Sequence, residues 1–409
     1  MFSVSRHFTP LGERPFRRLA GSYAVNELGD WVGAVALAVL VFEQTGDPLA
    51  LSALFVASRL VPAFVAPALT ARLDQLAVRR SLPAVYLGEA AAFAALALAA
   101  DAAFNLALVL VLALADGCFA LTGRALSRAA VAATLEPAGL LREGNAVVNV
   151  AFAIGTAGGP ALGGLVVAGS GASTALLLDA ASFVAIAALL ATARGLPEAH
   201  PEPGPSTGRV REVLAYVRRR PFLRALLAAQ AVAFVFFTAV VPIGVVYAEE
   251  ALGTDERGFG LLLASWGVGI VLGSLAFAAA RQRSMVTLIA VSTGLVGVAY
   301  LGLSTAGTLL LACLISVAGG LGNGIQWVSV VTAVQQRVGK DLQARVMGLL
   351  ESVGAAAPGL GFVLGGALAA LSGPRSAYAV AGGGVLLVLL LATGALRRAA
   401  KADSLSIQA

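Results

Sequence analysis

Charge is what this chain has least of. Asp, Glu, Lys and Arg make up 12% of its 409 residues, about half the share of a soluble domain. That is too little charge to cover a water-soluble fold of this length. Cysteine is nearly absent as well. Cys118 and Cys313 both fall in apolar stretches, so they read as small buried hydrophobes rather than a disulfide or metal pair. The two histidines, His7 and His200, sit in polar segments, and no metal site or cofactor is expected. A phosphate-binding loop is missing too. Gly339-Lys340 runs into Asp341 without the required spacing, which argues against ATP as a direct energy source and against an enzyme built on it. Nor is a cleavable leader expected. Arg6, Arg14, Arg17 and Arg18 precede a full-length apolar segment, not a short one ending in a small-residue cleavage site.

What is present is apolar surface: 59% of the residues are hydrophobic. Apolar runs near twenty residues recur, each long enough to cross a lipid bilayer. Twelve spans are expected, at 19–42, 49–71, 82–100, 103–123, 144–168, 172–193, 223–247, 258–280, 285–304, 307–331, 346–371 and 376–396. The longest polar break, with Pro197, Pro201, Pro203 and Pro205, divides them six and six. The expected organisation is therefore a six-helix half at 1–193, a linker at 194–220 and a second half at 221–409. Within the linker, Val210, Val213, Leu214 and Val217 recur at helical spacing among arginines, as in an amphipathic helix on the membrane surface.

The basic residues orient the chain. All but Arg59, Arg257 and Arg375 fall at the termini, in the linker, or in the loops after spans 2, 4, 8 and 10. This asymmetry implies cytoplasmic termini, and plasma-membrane residence is expected. The formal charge of +6 therefore points to membrane orientation, and nucleic acid is not an expected partner. The halves also repeat. Arg14-Pro15-Phe16 returns as Arg220-Pro221-Phe222, Ala57-Ser58 as Ala264-Ser265, and Gly163-Gly164 as Gly365-Gly366, at offsets between 202 and 207. Two six-helix halves repeated along the membrane normal describe the major facilitator arrangement, with a substrate site between them.

Charges inside spans are costly and seldom idle. Span 1 holds Asn26, Glu27 and Asp30, with Asp30 about 17 Å along the helix and so near the midplane. Span 2 holds Arg59, span 3 Glu89, span 4 Asp116, span 6 Asp179 and span 11 Glu351. Two roles compete for Asp30: a buried acid that carries a proton, or a permanent partner of Arg59 or Arg124. Arg59 is expected to pair with an acid, meet an anionic substrate, or snorkel outward.

The segment Gly155-Thr-Ala-Gly158-Gly159-Pro160-Ala-Leu-Gly163-Gly164 resembles the fifth-helix motif of major facilitator antiporters. Gly-x-x-x-Gly alone is a generic packing device; Pro160 and the glycine pair make the match specific. The loop Thr70-Ala-Arg72-Leu-Asp74-Gln75-Leu-Ala77-Val-Arg79-Arg80 resembles a degraded form of the superfamily's cytoplasmic signature. Asp74 and the basic pair survive in it. The fold then implies that Asp74 meets Arg345, and that Arg281 or Arg283 meets Glu143, two charge pairs of exchanged sign latching the cytoplasmic side.

With Asn26-Glu-Leu-Gly-Asp30, Glu143-Gly-Asn145 and Leu178-Asp179 through Phe183, the whole chain resembles the enterobactin-exporter-like and macrolide-efflux-like branch. The resemblance implies an all-α, monomeric secondary transporter in the lipid bilayer. It would export an amphipathic small molecule (a drug, siderophore or secondary metabolite) against inward proton flow by alternating access. Phe234, Phe236, Phe237, Tyr247, Trp266 and Trp327 would supply apolar contacts. An importer or lipid transporter of the same fold, or a non-transporting sensor or assembly protein, remains an alternative.

Overall fold

A computed structural model describes residues 9–73, 76–102, 104–193, 195–196, 214–280, 283–338 and 340–408. Among the described residues there are helices and no strands. The helices are α1 (Arg14–Thr45), α2 (Pro48–Phe55), α3 (Val61–Leu73), α4 (Val78–Ala102), α5 (Leu106–Leu135), α6 (Leu141–Ala191) and α7 (Pro221–Thr238). The chain continues with α8 (Gly244–Val246), α9 (Glu256–Ala279), α10 (Met285–Thr305), α11 (Leu309–Arg337), α12 (Lys340–Ser372) and α13 (Pro374–Gln408). Among the described residues ten helices are long and apolar enough to cross a membrane.

The departures from the expected spans have local causes. Spans 5 and 6 follow one another in α6 without an intervening loop: Gly171, with non-helical φ 80° and ψ 163°, divides α6 into two helices. Only glycine enters that region of backbone space readily. Span 7 ends early, at Thr238, four residues before Pro242. A proline has no N–H for the carbonyl four residues back and its ring collides with it, so the helix cannot continue. Val241 N–H closes the chain onto the Thr238 carbonyl instead, at 3.1 Å. The chain then re-enters helix at α8 and a π-turn, Tyr247–Ala251.

Span 2 is interrupted by a second π-turn, Val56–Leu60, which joins α2 to α3 and carries Arg59. Pro62 lies four residues after Ser58 and cannot satisfy its carbonyl. Gly117 of α5 covers that carbonyl, and a Cβ on Gly117 would strike both Ser58 O and the Pro62 ring. Span 4 runs further than expected: α5 extends to Leu135, so Arg124 sits within a helix rather than in a loop. Of the expected linker helix, residues 214–219 are helical with Val217 buried, and 197–213 lie outside the described residues.

The chain forms two compact units. One comprises residues 1–46, 53–203 and 255–264, the other 47–52, 204–254 and 265–409. The first unit packs around α1, where Val35, Ala36, Val39 and Val41 are at most 1% exposed. The second has a buried cluster of Phe222, Leu223, Val330, Val334 and Leu350. α1 and α7 open alike, each with a proline in its first turn and a wholly buried phenylalanine, Phe16 or Phe222, next to it. The glycine stripes correspond as well. In α6, Gly155, Gly159 and Gly163 face α1, and in α12, Gly361 and Gly365 face the end of α7. Each stripe thus packs against a helix of its own unit.

Candidate functional site

The glycine stripe of α6 fixes the helix that bears the acids. A Cβ on Gly155 would lie 2.9 Å from Glu27 Cβ, one on Gly159 2.6 Å from Trp31 Cβ, and one on Gly163 3.1 Å from Val32 Cα. Spacing of four keeps these glycines on one helix face, and their small size lets two backbones meet along about two turns. Gly164 turns instead to Glu256 and Gly260 at the start of α9. Gly158 has open space over it. Pro160 sits inside α6, as expected.

On α1, Asn26 Nδ2 donates to Asp30 Oδ2 at 3.1 Å, as their separation of four allows. Arg124 from α5 donates through Nη2 to the same oxygen at 2.8 Å. Its Nε lies 3.9 Å from Glu27 Oε1. The Glu27 side chain is 2% exposed, Asp30 14% and Arg124 31%. One guanidinium thus serves two carboxylates one turn apart, the short charge-assisted contact going to Asp30.

A cavity opens beside this group. Its wall includes Asp30, Ser58, Arg59, Phe93, Asp116 and Arg124. Arg59 and Asp116 form no ion pair among the described residues. All five expected coupling or binding residues, Asn26, Glu27, Asp30, Arg59 and Asp116, therefore gather in the first unit. Asp30 is paired in this geometry, with Arg124 rather than Arg59 as its partner.

Two further acids back this group. Both carboxyl oxygens of Glu89 and one of Asp179 lack a hydrogen-bond partner among the described residues, and both side chains are buried. Asp179 lies against Gly29 and Gly33 of α1, where any side chain would displace it, and accepts a hydrogen bond from Ser182 at 3.2 Å.

Sequence reasoning names Arg124 as a candidate partner of Asp30 but places it in the loop after span 4, whereas it lies inside α5. It follows an apolar run and precedes Arg128, so the basic-loop rule places it outside the membrane. The corrective signal is the apolar Ala129–Val131 stretch that carries α5 onward. Of the expected cytoplasmic latch, Arg79 and Arg80 are exposed at the start of α4, Arg283 is exposed, and Glu143 is half-buried in the first turn of α6. Asp74 and Arg281 lie outside the described residues, as do the side chains of Arg345 and Glu351. Among the expected apolar contacts, Tyr247 is wholly buried and donates to the Leu303 carbonyl at 2.6 Å. Phe236 packs on Gly384.

The family model described as "Transmembrane secretion effector", of the MFS_3 type, matches residues 5–408. The chain belongs to this family. It is a multi-pass membrane transporter of the major facilitator type. Solved structures share the fold at low identity. The nucleoside transporter NupG superposes with a TM-score of 0.74 at 12% identity, over 93% of this chain and 98% of its own. A bacterial homologue of the human lysosomal transporter Spinster, inward-facing and occupied, gives 0.71 at 12% identity over 96% and 97%. The human organic anion transporter MFSD10 gives 0.61 at 20% identity over 92% and 99%. No curated protein sequence matches the chain.

Proposed function

We propose that this family member is a secondary active exporter that exchanges protons for an amphipathic small molecule. The observation that carries the reading is the charged group in the wall of the first cavity: Asp30 bound to Arg124, with Arg59 and Asp116 facing the same space. Charges at that depth are expensive and mark ion or substrate pathways. Arg124 has two acids within reach, at 2.8 and 3.9 Å. Protonating Asp30 removes its hold on the guanidinium, which then has Glu27 as its remaining partner. Proton arrival is thereby converted into a side-chain movement in the cavity wall. Asp116, with no cation bound to it among the described residues, is the second acid able to take up a proton there.

The rest of the reading rests on the sequence. The chain has twelve spans in two halves, 1–193 and 221–409, joined by a cytoplasmic linker at 194–220. It works as a monomer in the plasma membrane by alternating access. Charges of opposite sign, Asp74 with Arg345 and Glu143 with Arg281 or Arg283, latch its cytoplasmic side. Asp74→Arg is then expected to slow transport, and adding Arg345→Asp to restore part of it.

The experiment is a survival panel of toxic amphipathic compounds in cells lacking or overproducing the protein. Overproduction is expected to protect against at least one compound, and Asp30→Asn to abolish that protection at unchanged protein level. Sensitisation by overproduction would instead mark an importer.

A further inference from the structure

Glu89 of α4 is 1% exposed, and neither of its carboxyl oxygens has a hydrogen-bond partner among the described residues. α4 packs on α5 and α6, and the carboxyl lies against α5. A Cβ on Gly123 would sit 3.4 Å from Glu89 Oε1 and 3.3 Å from Val85 Cγ1. Gly123 thus leaves room for the acid without a side chain to hold it. Two nearby donors are engaged elsewhere. Tyr86, three residues before Glu89, shares a hydrogen bond with Ser127 at 3.3 Å. Arg124, the residue after Gly123, gives its 2.8 Å contact to Asp30.

The charged groups around Glu89 do not relieve it. Asp30 of α1, Asp116 of α5 and Asp179 of α6 are acids, and Arg124 of α5 is the cation. An ionised carboxylate without a donor is among the most expensive groups a fold can bury. The carboxyl fits this place with a proton bound. A glutamate kept for packing alone would gain nothing from an acid group that bonds to no described residue. Asp179 is less exposed to this argument, because one of its oxygens accepts from Ser182 at 3.2 Å.

Glu89 also lies next to the charged cavity without lining it. Phe93, one helical turn along α4, borders the cavity, and so does Arg124 beside Gly123.

We propose that Glu89 is a proton-storing residue next to the charged cavity, loaded from Asp30. One O–H bond breaks at Asp30 and another forms at Glu89. Asp30 is left ionised, and Arg124 closes on it. The arrangement seen here, with Asp30 on Arg124 and Glu89 without donors, is the loaded one. This role rests on the proton-exchange reading and deepens it: the acid that receives the proton from the cavity is not the acid that keeps it.

The test is infrared spectroscopy of the full chain in a maltoside detergent, which carries no carbonyl group of its own. A protonated carboxyl has a C=O stretching band separate from the bands of a carboxylate. Wild-type spectra minus those of Glu89→Gln are expected to contain such a band at neutral pH, and raising the pH is expected to remove it reversibly. Asp30→Asn is expected to displace the pH at which the band disappears, because the two acids pass one proton between them. Absence of a Glu89-dependent band at neutral pH overturns the proposal. So does a band that persists at every pH at which the chain stays folded, since that acid never gives its proton up, and so does a midpoint unmoved by Asp30→Asn. Gln keeps the shape and neutrality of the protonated acid, so Glu89→Gln is expected to fold. Glu89→Asp gives an independent reading, because its band is expected to shift in frequency; an unshifted band would belong to another residue and overturn the assignment. None of these measurements needs a cargo. A titrating Glu89 band in a chain that exports nothing against protons would contradict the exporter reading and leave Glu89 a proton-binding residue. Proton-driven export without the band would do the reverse.

Discussion

Arg124 is the residue on which the charged group turns. Its 2.8 Å contact with Asp30 and 3.9 Å approach to Glu27 make it the only cation bound to either acid among the described residues. Removing it strands two carboxylates in a low-dielectric site. Arg124→Gln is therefore expected to lower thermal stability in detergent, and Asp30→Asn in the same chain to recover much of the loss. A double-mutant cycle is expected to give a coupling of about 1–3 kcal/mol. Simple additivity of the two substitutions would show that they do not interact. The sequence made Asn26, Glu27 and Asp30 legible because polar residues in an apolar run are conspicuous. Arg124 was legible only as an alternative partner of Asp30 and not as part of a helix, because a basic residue near the end of a run looks the same whether the helix stops or continues.

Helices in this chain are placed by residues that lack atoms. Gly158 and Gly159 are neighbours in sequence with opposite surroundings. A methyl group on Gly158 meets nothing within 4 Å, whereas one on Gly159 would lie 2.6 Å from Trp31 Cβ. Gly158→Ala is expected to leave thermal stability and transport near wild type. Gly159→Ala should push α6 away from α1 and destabilise the protein by about 1–3 kcal/mol, as overpacked contacts do. A thermal-unfolding series in detergent reads both, and equal effects would mean that the stripe does not set the packing. The sequence showed this motif and its repeat in α12, because spacing by four is visible in one dimension. It also contained Pro242, but apolar composition runs straight through that position. Hydropathy therefore reads one span where the missing N–H ends α7 at Thr238. The same averaging hid the π-turn at Arg59, which depends on Pro62 and on a glycine from another helix.

For the whole molecule, the basic-residue asymmetry fixes a testable topology. In a chain with Cys118 and Cys313 replaced by serine, Ser206→Cys is expected to label only after the membrane is made permeable, and Thr254→Cys to label in intact cells. Labelling of Ser206→Cys from outside would contradict the cytoplasmic linker. The central claim is proton exchange through the charged cavity, and the most direct measurement is made in everted membrane vesicles acidified inside. The trigger is a compound against which the protein confers survival, and a fluorescent dye reports the pH gradient. Adding the compound to wild-type vesicles is expected to discharge part of the gradient, and Asp30→Asn vesicles should show no discharge. Accumulation of the compound with the gradient untouched, or discharge by Asp30→Asn at the wild-type rate, would contradict the account.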